Sequence, residues 1–289
     1  MATVLDTLQK GTAYLEKYGV EEARLNMQYL LSHALKCDRM QLYLDFDRPL
    51  SEVDLEKLRD LTKRRAKGEP LQHLMGTVEF CGREFLSDGR ALIPRPETEE
   101  LVERIRKFRE WPDGVRVLDV GAGSGVIGLS LAADWAEKAP EVVLADVSPE
   151  ALALATENRE KLDLSEVRIE LAESDLFTGL GEARFDLVAA NLPYVPESDR
   201  TSLSREVQRD PDLALFGGGD AGTDIMQRFL SGVRSHLVPG GLVAMEYGEG
   251  QAAELAAAAE KAGLESIEIV KDLSGTERFL FAVNPAESA

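Results

Sequence analysis

Several features that define whole classes of protein are missing from this 289-residue chain. Its two cysteines, Cys37 and Cys81, are too few for a disulfide framework or a cysteine-based zinc site. Its three histidines are scattered, so we expect no metal. No apolar run reaches the roughly 18 residues that a membrane-spanning helix needs, and the first residues lack the basic and apolar regions of a secretory signal. We therefore expect a cytoplasmic protein without membrane contact.

Basic charge is also in short supply. The chain has 33 Lys and Arg against 52 Asp and Glu, a formal net charge of -19. A protein that wraps nucleic acid needs an excess of basic side chains, so we expect no direct nucleic-acid partner. Residues 1–75 are balanced and end in a local basic run, which is either a solvated last helical turn or a contact for an acidic or RNA-bound partner. The run consists of Lys63, Arg64, Arg65 and Lys67.

The distribution of apolar residues predicts three segments. Residues 1–75 have helical spacing, and Ser51 followed by Asp54 predicts a capping box at one helix start. Residues 76–95 are rich in β-formers and predict a β-hairpin that links two domains, with a turn at Cys81-Gly82. From residue 96 to 289, short apolar runs alternate with helix-length segments. This alternation predicts an α/β domain with a mainly parallel sheet and helices on both faces.

A glycine-rich turn follows the first apolar run of that domain, in VLDVGAGSGVIGLSL. Glycines there let the backbone turn tightly and approach a ligand closely. Asp146 ends the next apolar run, where a carboxylate can accept hydrogen bonds from two ribose hydroxyls. The sequence therefore predicts a nucleoside site, and its loop residues are Gly121, Ala122, Gly123, Ser124 and Gly125.

The glycine loop alone does not define the nucleoside. Its spacing fits the dinucleotide pattern G-x-G-x-x-G, so a nicotinamide cofactor stays open. Asp119, two residues before the first glycine, favours S-adenosylmethionine, because a carboxylate suits the ammonium group of that cofactor and not a pyrophosphate. The G-x-G-x-G spacing also resembles motif I of class I methyltransferases. In that superfamily the next strand end borders adenine, which here assigns Asp175 and Leu176 to the cofactor.

A second motif, Asn191-Leu192-Pro193-Tyr194, ends a later apolar run and is expected at the carboxyl edge of the sheet. It suits methylation of a planar nitrogen, whose two N–H bonds must be held so that the lone pair faces the methyl group. The Asn191 side-chain oxygen and the Leu192 carbonyl are two such acceptors, Pro193 fixes the turn and Tyr194 offers a flat face for stacking. We expect Asn191, Pro193 and Tyr194 to be catalytic, all four residues to bind substrate, and Asn191 also to border the cofactor.

This tetrapeptide resembles the NPPY motif of methyltransferases that act on glutamine or adenine nitrogens, with Leu192 in place of the first proline. NLPY also occurs in ribosomal RNA adenine dimethyltransferases, so other segments must decide. Four segments, in order and over nearly the whole chain, resemble the release-factor glutamine N5-methyltransferases. They are EPLQHLMGTVEFCGREF, LIPRPETEELVE, REVQRDPDLALFGGGDAGTDIMQRFL and PGGLVAMEYGEGQ.

The resemblance implies a class I, Rossmann-like methyltransferase with a seven-stranded, mostly parallel sheet, preceded by a small all-helical domain and the hairpin. It implies that the last strand, in RFLFAV, is antiparallel. The implied cofactor is S-adenosylmethionine. The implied substrate is the glutamine of the Gly-Gly-Gln loop of peptide-chain release factors, methylated on its side-chain amide nitrogen to modulate translation termination. The helices of residues 1–75 would dock the release factor, and we expect a monomer.

Two alternatives stay open beside this interpretation. The first is an adenine-N6 methyltransferase acting on RNA or DNA, which the acidic charge disfavours. The second is a non-catalytic module that binds release factors, which the intact tetrapeptide disfavours. The chain departs from the family at Leu176, where some members carry a tryptophan, and at residues 209–211, where Arg-Asp-Pro replaces Phe-Glu-Pro.

Charged residues beside the motifs have less defined roles. In PRPETE, Arg95 and Glu97 are either structural, with Glu97 near the positive end of a helix, or part of the pocket roof. Glu246, in MEYG, ends a strand and is interpreted as structural.

Overall fold

Alternation of helices and strands begins at residue 77 of the computed structural model, which describes residues 1–286. By their internal packing these residues form two units. Unit 1 comprises Met1–Thr77 and Ser204–Arg209, and unit 2 comprises Val78–Leu203 and the chain from Asp210 onward. The hairpin from Val78 therefore belongs to unit 2. A short segment far along the chain belongs to unit 1, which the sequence pattern did not indicate.

Unit 1 is built from five helices: α1 Val4–Lys17, α2 Ala23–Leu35, α3 Arg39–Leu44, α4 Glu52–Ala66 and α5 Leu71–Met75. The apolar face expected on α2 is buried, including Met27, Leu30 and Leu31. The capping box of Ser51 and Asp54 starts α4 as expected, with each residue bonding the backbone N–H of the other. The core of this unit is therefore a helical cluster of leucines and smaller apolar residues.

The arginines and the lysines of the basic run at the end of α4 have different surroundings. Arg65 is buried and donates to Asn26 Oδ1 at 2.6 Å and to Glu206, while Arg64 bonds Glu69. Lys63 and Lys67 are exposed. Arg65 therefore connects Ser204–Arg209 to the helices of unit 1. Both Arg64 and Arg65 have acidic partners.

Unit 2 begins within a two-stranded hairpin, β1 Thr77–Phe80 and β2 Arg83–Leu86, which is followed by helix α6 Pro96–Phe108. Cys81 and Gly82 take the left-handed conformation that a tight hairpin turn requires. The seven other strands are β3 Arg116–Val120, β4 Glu141–Asp146, β5 Arg168–Glu173, β6 Phe185–Asn191, β7 Leu237–Glu246, β8 Glu265–Lys271 and β9 Glu277–Val283. The helices between them are α7 Val126–Asp134, α8 Pro149–Lys161, α9 Asp212–Leu215, α10 Asp224–Val233 and α11 Ala252–Lys261.

These seven strands form one sheet in the order β5-β4-β3-β6-β7-β9-β8. Neighbours from β5 to β7 are parallel, and β9 is antiparallel to both of its neighbours. The seven-stranded, mostly parallel sheet and its antiparallel last strand are thus confirmed. Strand order reverses between β3 and β6, and open α/β sheets bind ligands beyond the carboxyl ends of strands at such a point.

Alternate residues of each strand enter opposite cores. Val117 of β3 packs in the core covered by α6, α7 and α8, and the next residue, Leu118, packs in the core covered by α10 and α11. This period of two follows from the pleat of a strand and buries both faces of the sheet. Helices on both faces, as expected, leave the strand ends as the accessible edge.

Candidate active site

A cavity of about 360 Å³ opens at the carboxyl edge of the sheet, beyond β3, β4 and β6. It brings together most of the site residues predicted from the sequence. These are Gly121, Ala122, Gly123, Ser124, Asp146, Asp175, Leu176, Asn191, Leu192 and Pro193. Gly125 and Tyr194, also predicted, are not among the residues that line it.

The glycine loop reaches the cavity because its backbone is left-handed. Gly121, Gly123 and Gly125 have φ angles of +71°, +56° and +81°, which L side chains rarely adopt. A Cβ on Gly121 would also lie 2.8 Å from Leu192 Cδ2. The missing side chain at Gly121 therefore lets the loop pack against Leu192, the residue that replaces the family proline. Gly125 starts α7 and shapes the loop instead of lining the cavity.

Asp146 binds the glycine loop at the end of β4. Its Oδ2 accepts the Gly123 N–H at 2.8 Å and its Oδ1 accepts the Ser148 N–H at 2.8 Å. Burial raises the pKa of this carboxyl, and the backbone hydrogen bonds oppose that rise. Each oxygen keeps a second lone pair, so the geometry is compatible with the predicted role as acceptor for ribose hydroxyls.

Asp119 lies beneath the loop and is fully buried, outside the residues that line the cavity. Its Oδ2 accepts the Gly128 N–H at 2.8 Å, in the first turn of α7, while Oδ1 has no partner among residues 1–286. Burial raises the pKa of this carboxyl to about 7. The positive end of α7 is therefore already complemented by a carboxyl of the protein, which disfavours a pyrophosphate at the same helix end.

The strand end after β5 contributes Asp175 and Leu176. Arg228, which also lines the cavity, donates to Asp175 Oδ2 at 2.8 Å. Leu176 has a φ angle of +54°, and Ser174 supports this turn by donating from its hydroxyl to the Leu176 carbonyl at 2.9 Å. Backbone strain of this kind at a cavity often accompanies ligand binding. The assignment of both residues to adenine stays a prediction.

The tetrapeptide follows β6 as expected, and its first three residues line the cavity. Asn191 Nδ2 donates to the Thr98 hydroxyl at 2.9 Å, and that hydroxyl donates to Glu246 Oε2 at 2.7 Å. Tyr194 is partly buried, with its hydroxyl 3.4 Å from Glu246 Oε1. A stacking role for Tyr194 stays a prediction, because this ring does not line the cavity.

Sequence reasoning missed Thr98 and gave Glu246 only a structural role. Thr98 lines the cavity from the first turn of α6, and Glu246 is 1% exposed at the end of β7. Burial raises the pKa of the Glu246 carboxyl to about 7, opposed mainly by the Thr98 hydrogen bond and the charge of Arg278. Glu246 pairs with Asn191 in strand register, and that neighbouring position was the one available sequence-level signal.

Arg95 is anchored away from the cavity lining. Its guanidinium lies 2.8 Å from Oδ2 of Asp210, a buried carboxyl that also accepts the Ile93 N–H at 3.3 Å. Burial raises the Asp210 pKa to about 6, opposed by the positive charge of Arg95. Asp210, at one of the positions that depart from the family pattern, is thus the ion partner of Arg95. Glu97 lies in the first turn of α6, near the positive end of the helix, and neither Arg95 nor Glu97 lines the cavity.

These residues fit S-adenosylmethionine. The cavity has glycine backbone on one wall, the carboxyl group of Asp146 in its lining, and no lysine there. Within residues 1–286 no group of histidine, cysteine or acidic side chains is placed to hold a metal ion. Over the same residues no helix is long and apolar enough to cross a membrane. The sheet order and the site define a class I methyltransferase that uses S-adenosylmethionine.

Comparison with known proteins gives the family. Residues 6–76 match the model of the PrmC N-terminal domain, and residues 112–275 match a methyltransferase domain. A release factor glutamine methyltransferase of Geobacter sulfurreducens is 40% identical, over 96% of this chain and 95% of its own. One from Deinococcus radiodurans is 39% identical over 96% and 97%. The chain belongs to the release factor glutamine methyltransferase family.

A solved structure supports the fold independently. The crystal structure of a methyltransferase from Pyrococcus furiosus aligns with a TM-score of 0.52 and 18% identity, covering 71% of this chain and 90% of the other. At that identity the likeness concerns the fold alone.

Proposed function

We propose that this protein transfers a methyl group from S-adenosylmethionine to the side-chain amide nitrogen of a release-factor glutamine, within its Gly-Gly-Gln loop. One observation carries the proposal: Asn191, Leu192 and Pro193 line the same cavity as the glycine loop and Asp146. The donor site and the motif that suits an amide nitrogen therefore share one space. Family membership over nearly the full chain supports the same reaction.

Asn191 and Leu192 bind the substrate amide in this proposal. The Asn191 Oδ1 atom and the Leu192 carbonyl each accept one amide N–H, so the nitrogen lone pair is directed to the donor. S-adenosylmethionine bound there would supply a methyl group on a positively charged sulfur, which would become a neutral thioether as the carbon–nitrogen bond formed. The nitrogen then releases one proton to water. Because the proton leaves after the carbon–nitrogen bond has formed, no general base is needed before transfer. Holding two reactants in line can itself supply about 7–11 kcal/mol.

The cofactor-facing residues have separate tasks. Asp146 accepts the ribose hydroxyls, the loop from Gly121 to Gly125 lies against the cofactor, and Asp175 with Leu176 borders adenine. Pro193 fixes the turn after Asn191. Tyr194 offers its ring to the planar amide group of the substrate.

The direct test is mass spectrometry of a purified release factor incubated with this protein and S-adenosylmethionine. We expect a mass increase of one methyl group on the glutamine of Gly-Gly-Gln. An unmodified glutamine, with cofactor binding confirmed by calorimetry, would contradict the proposal. RNA and DNA oligonucleotides containing adenine serve as the competing substrates, and their methylation would favour the adenine alternative.

Asn191→Ala separates substrate alignment from cofactor binding. Because the variant loses one amide acceptor, we expect methyl transfer to fall roughly 100-fold or more, as misplacement of a reacting group does. The dissociation constant of S-adenosylmethionine should change much less. Equal losses of both would contradict the alignment role. Tyr194→Phe is the companion variant, since it keeps the ring and removes only the hydroxyl.

We propose further that the helical residues 1–75 dock the release factor and that the enzyme acts as a cytoplasmic monomer. Lys63 and Lys67 are the two exposed lysines of the basic run, whereas the exposed Arg64 and the buried Arg65 already have partners within unit 1. Lys63→Glu with Lys67→Glu should raise KM for the release factor and leave kcat unchanged. An unchanged KM would assign these lysines to an ordinary solvated helix end. Light scattering tests the monomer.

A further inference from the structure

The side-chain amide of Asn191 is connected by hydrogen bonds to two buried residues. Thr98 is 2% exposed and Glu246 is 1% exposed, and together with Asn191 they form a hydrogen-bond relay, Asn191–Thr98–Glu246. An ionised carboxylate only accepts hydrogen bonds, so the single proton of the Thr98 hydroxyl is committed to Glu246. The Thr98 oxygen can then only accept from Asn191.

That direction determines which end of the amide faces Thr98. Oxygen and nitrogen of an asparagine amide exchange places when the group turns over, and the hydrogen-bond network decides between the two states. With Glu246 ionised, Asn191 presents its NH₂ to Thr98. The carbonyl Oδ1 is left on the other side of the amide, and Asn191 is one of the residues that line the cavity.

We propose that Thr98 and Glu246 are positioning residues that hold Asn191 with its side-chain oxygen available to the substrate amide. This inference rests on the proposed function, in which that oxygen accepts a glutamine N–H. Without the relay the amide could present its NH₂ instead, which repels a donor. Specificity for an N–H substrate would then be lost at the reacting group, although the tetrapeptide itself is intact.

The direction of the relay depends on the ionisation of Glu246. Three groups face this carboxyl: Arg278 of β9, Glu97 of α6 and the hydroxyl of Tyr194. Arg278 favours the ionised form and Glu97 opposes it, while the Tyr194 hydroxyl is directed to the second carboxylate oxygen. With both oxygens engaged as acceptors, Glu246 accepts from Thr98 when it is ionised.

Thr98→Val is the first test, because valine keeps the shape and removes the hydroxyl. We expect kcat on a release factor to fall roughly 10- to 100-fold, the scale of cost for a misplaced reacting group. Neither KM nor the dissociation constant of S-adenosylmethionine should change by more than about threefold, because other residues also bind the release factor and the cofactor. Thr98→Ser restores the hydroxyl and should recover most of the activity.

The matched control is Ser130→Ala, which removes another fully buried hydroxyl from unit 2, on α7 and outside the cavity lining. It should leave kcat unchanged. Equal kcat in Thr98→Val and wild type, with both folded by circular dichroism, would overturn the proposal. An equal loss in Thr98→Ser and Thr98→Val would also overturn it, because the hydroxyl would then be irrelevant.

A second readout does not require methyl transfer. In the NMR spectrum of the free protein, the Asn191 side-chain NH₂ resonances should shift with pH as Glu246 titrates, since one hydroxyl separates the two groups. Glu246→Gln should flatten that titration. Flat Asn191 resonances in the wild type would refute the relay whatever the enzyme's activity. A normal titration together with an inactive wild type would instead count against the proposed function.

Discussion

Asp119→Asn should stabilise the protein more at about pH 8 than at about pH 5. Asp119 is fully buried, and only one of its oxygens has a hydrogen-bond partner among the described residues. Burial raises its pKa from 3.8 to about 7 in the folded protein. Between those two values the folded state holds a proton that the unfolded chain has lost, so stability falls as pH rises through this window. Asparagine does not titrate, so the variant does not lose stability for this reason as the pH rises.

The expected size follows from the two pKa values of Asp119. At about pH 8 the aspartate costs the full difference, some three pKa units, or on the order of 4 kcal/mol. At about pH 5 only about one unit remains, because the native carboxyl is protonated there. The gain from Asp119→Asn should therefore differ between the two conditions by about two units, roughly 3 kcal/mol. The new amide NH₂ lacks an acceptor and costs about 1–3 kcal/mol, yet that cost is the same at both pH values and cancels in the comparison.

Urea unfolding of both proteins at the two pH values measures this difference. Asp113→Asn is the control for loss of one acidic charge, because Asp113 is exposed on the loop before β3. The same stability change for Asp119→Asn at both pH values would refute the argument from burial. So would an equal pH dependence in the control, since repulsion within an acidic protein would then explain the effect.

Three further predictions concern single side chains. Asp146→Ala should weaken S-adenosylmethionine binding in calorimetry by about 10- to 100-fold, or about 1.4–2.8 kcal/mol, and an unchanged affinity would contradict the ribose assignment. Glu206→Ala leaves the buried Arg65 without its carboxylate partner. Because Glu206 is itself 43% exposed, we expect the free energy of unfolding in urea to fall by about 1–3 kcal/mol, less than for a fully buried pair. No loss of stability would mean that solvent replaces the carboxylate. Gly121→Ala should destabilise more than Gly114→Ala in thermal unfolding, because both have a left-handed φ but only the former meets Leu192; equal effects would leave backbone strain as the sole cause.

The parts of the site that sequence could predict are encoded locally. The glycine loop, the aspartate at the end of β4 and the tetrapeptide after β6 each follow an apolar run, and parallel strands bring their carboxyl ends to one edge. The apolar face of α2 and the capping box of α4 are likewise written in spacings of three and four residues. Patterns of this range need no knowledge of tertiary packing.

The residues that sequence missed act across long separations. Thr98 lies 93 positions from Asn191 and 148 positions from Glu246, and its role exists only when α6, β6 and β7 meet. The sequence around a threonine in the first turn of a helix does not show whether its hydroxyl joins a hydrogen-bond relay or is an ordinary polar group. The ion pair of Arg65 with Glu206 could not be predicted for the same reason. A run of basic residues has the same sequence whether its arginines are exposed or buried in an ion pair.

The large sequence separation between Arg65 and its ion-pair partner also has a consequence for synthesis of the chain. Its carboxylate partner, Glu206, is 141 residues further on. At about 5–20 residues per second, a ribosome needs roughly 7–28 s to add that length. The five N-terminal helices leave the ribosome first, yet during this interval Glu206, the carboxylate partner of Arg65, has not been synthesised. Translation speed, and not only free energy, thus sets when the first part of the protein to be made can complete its native packing.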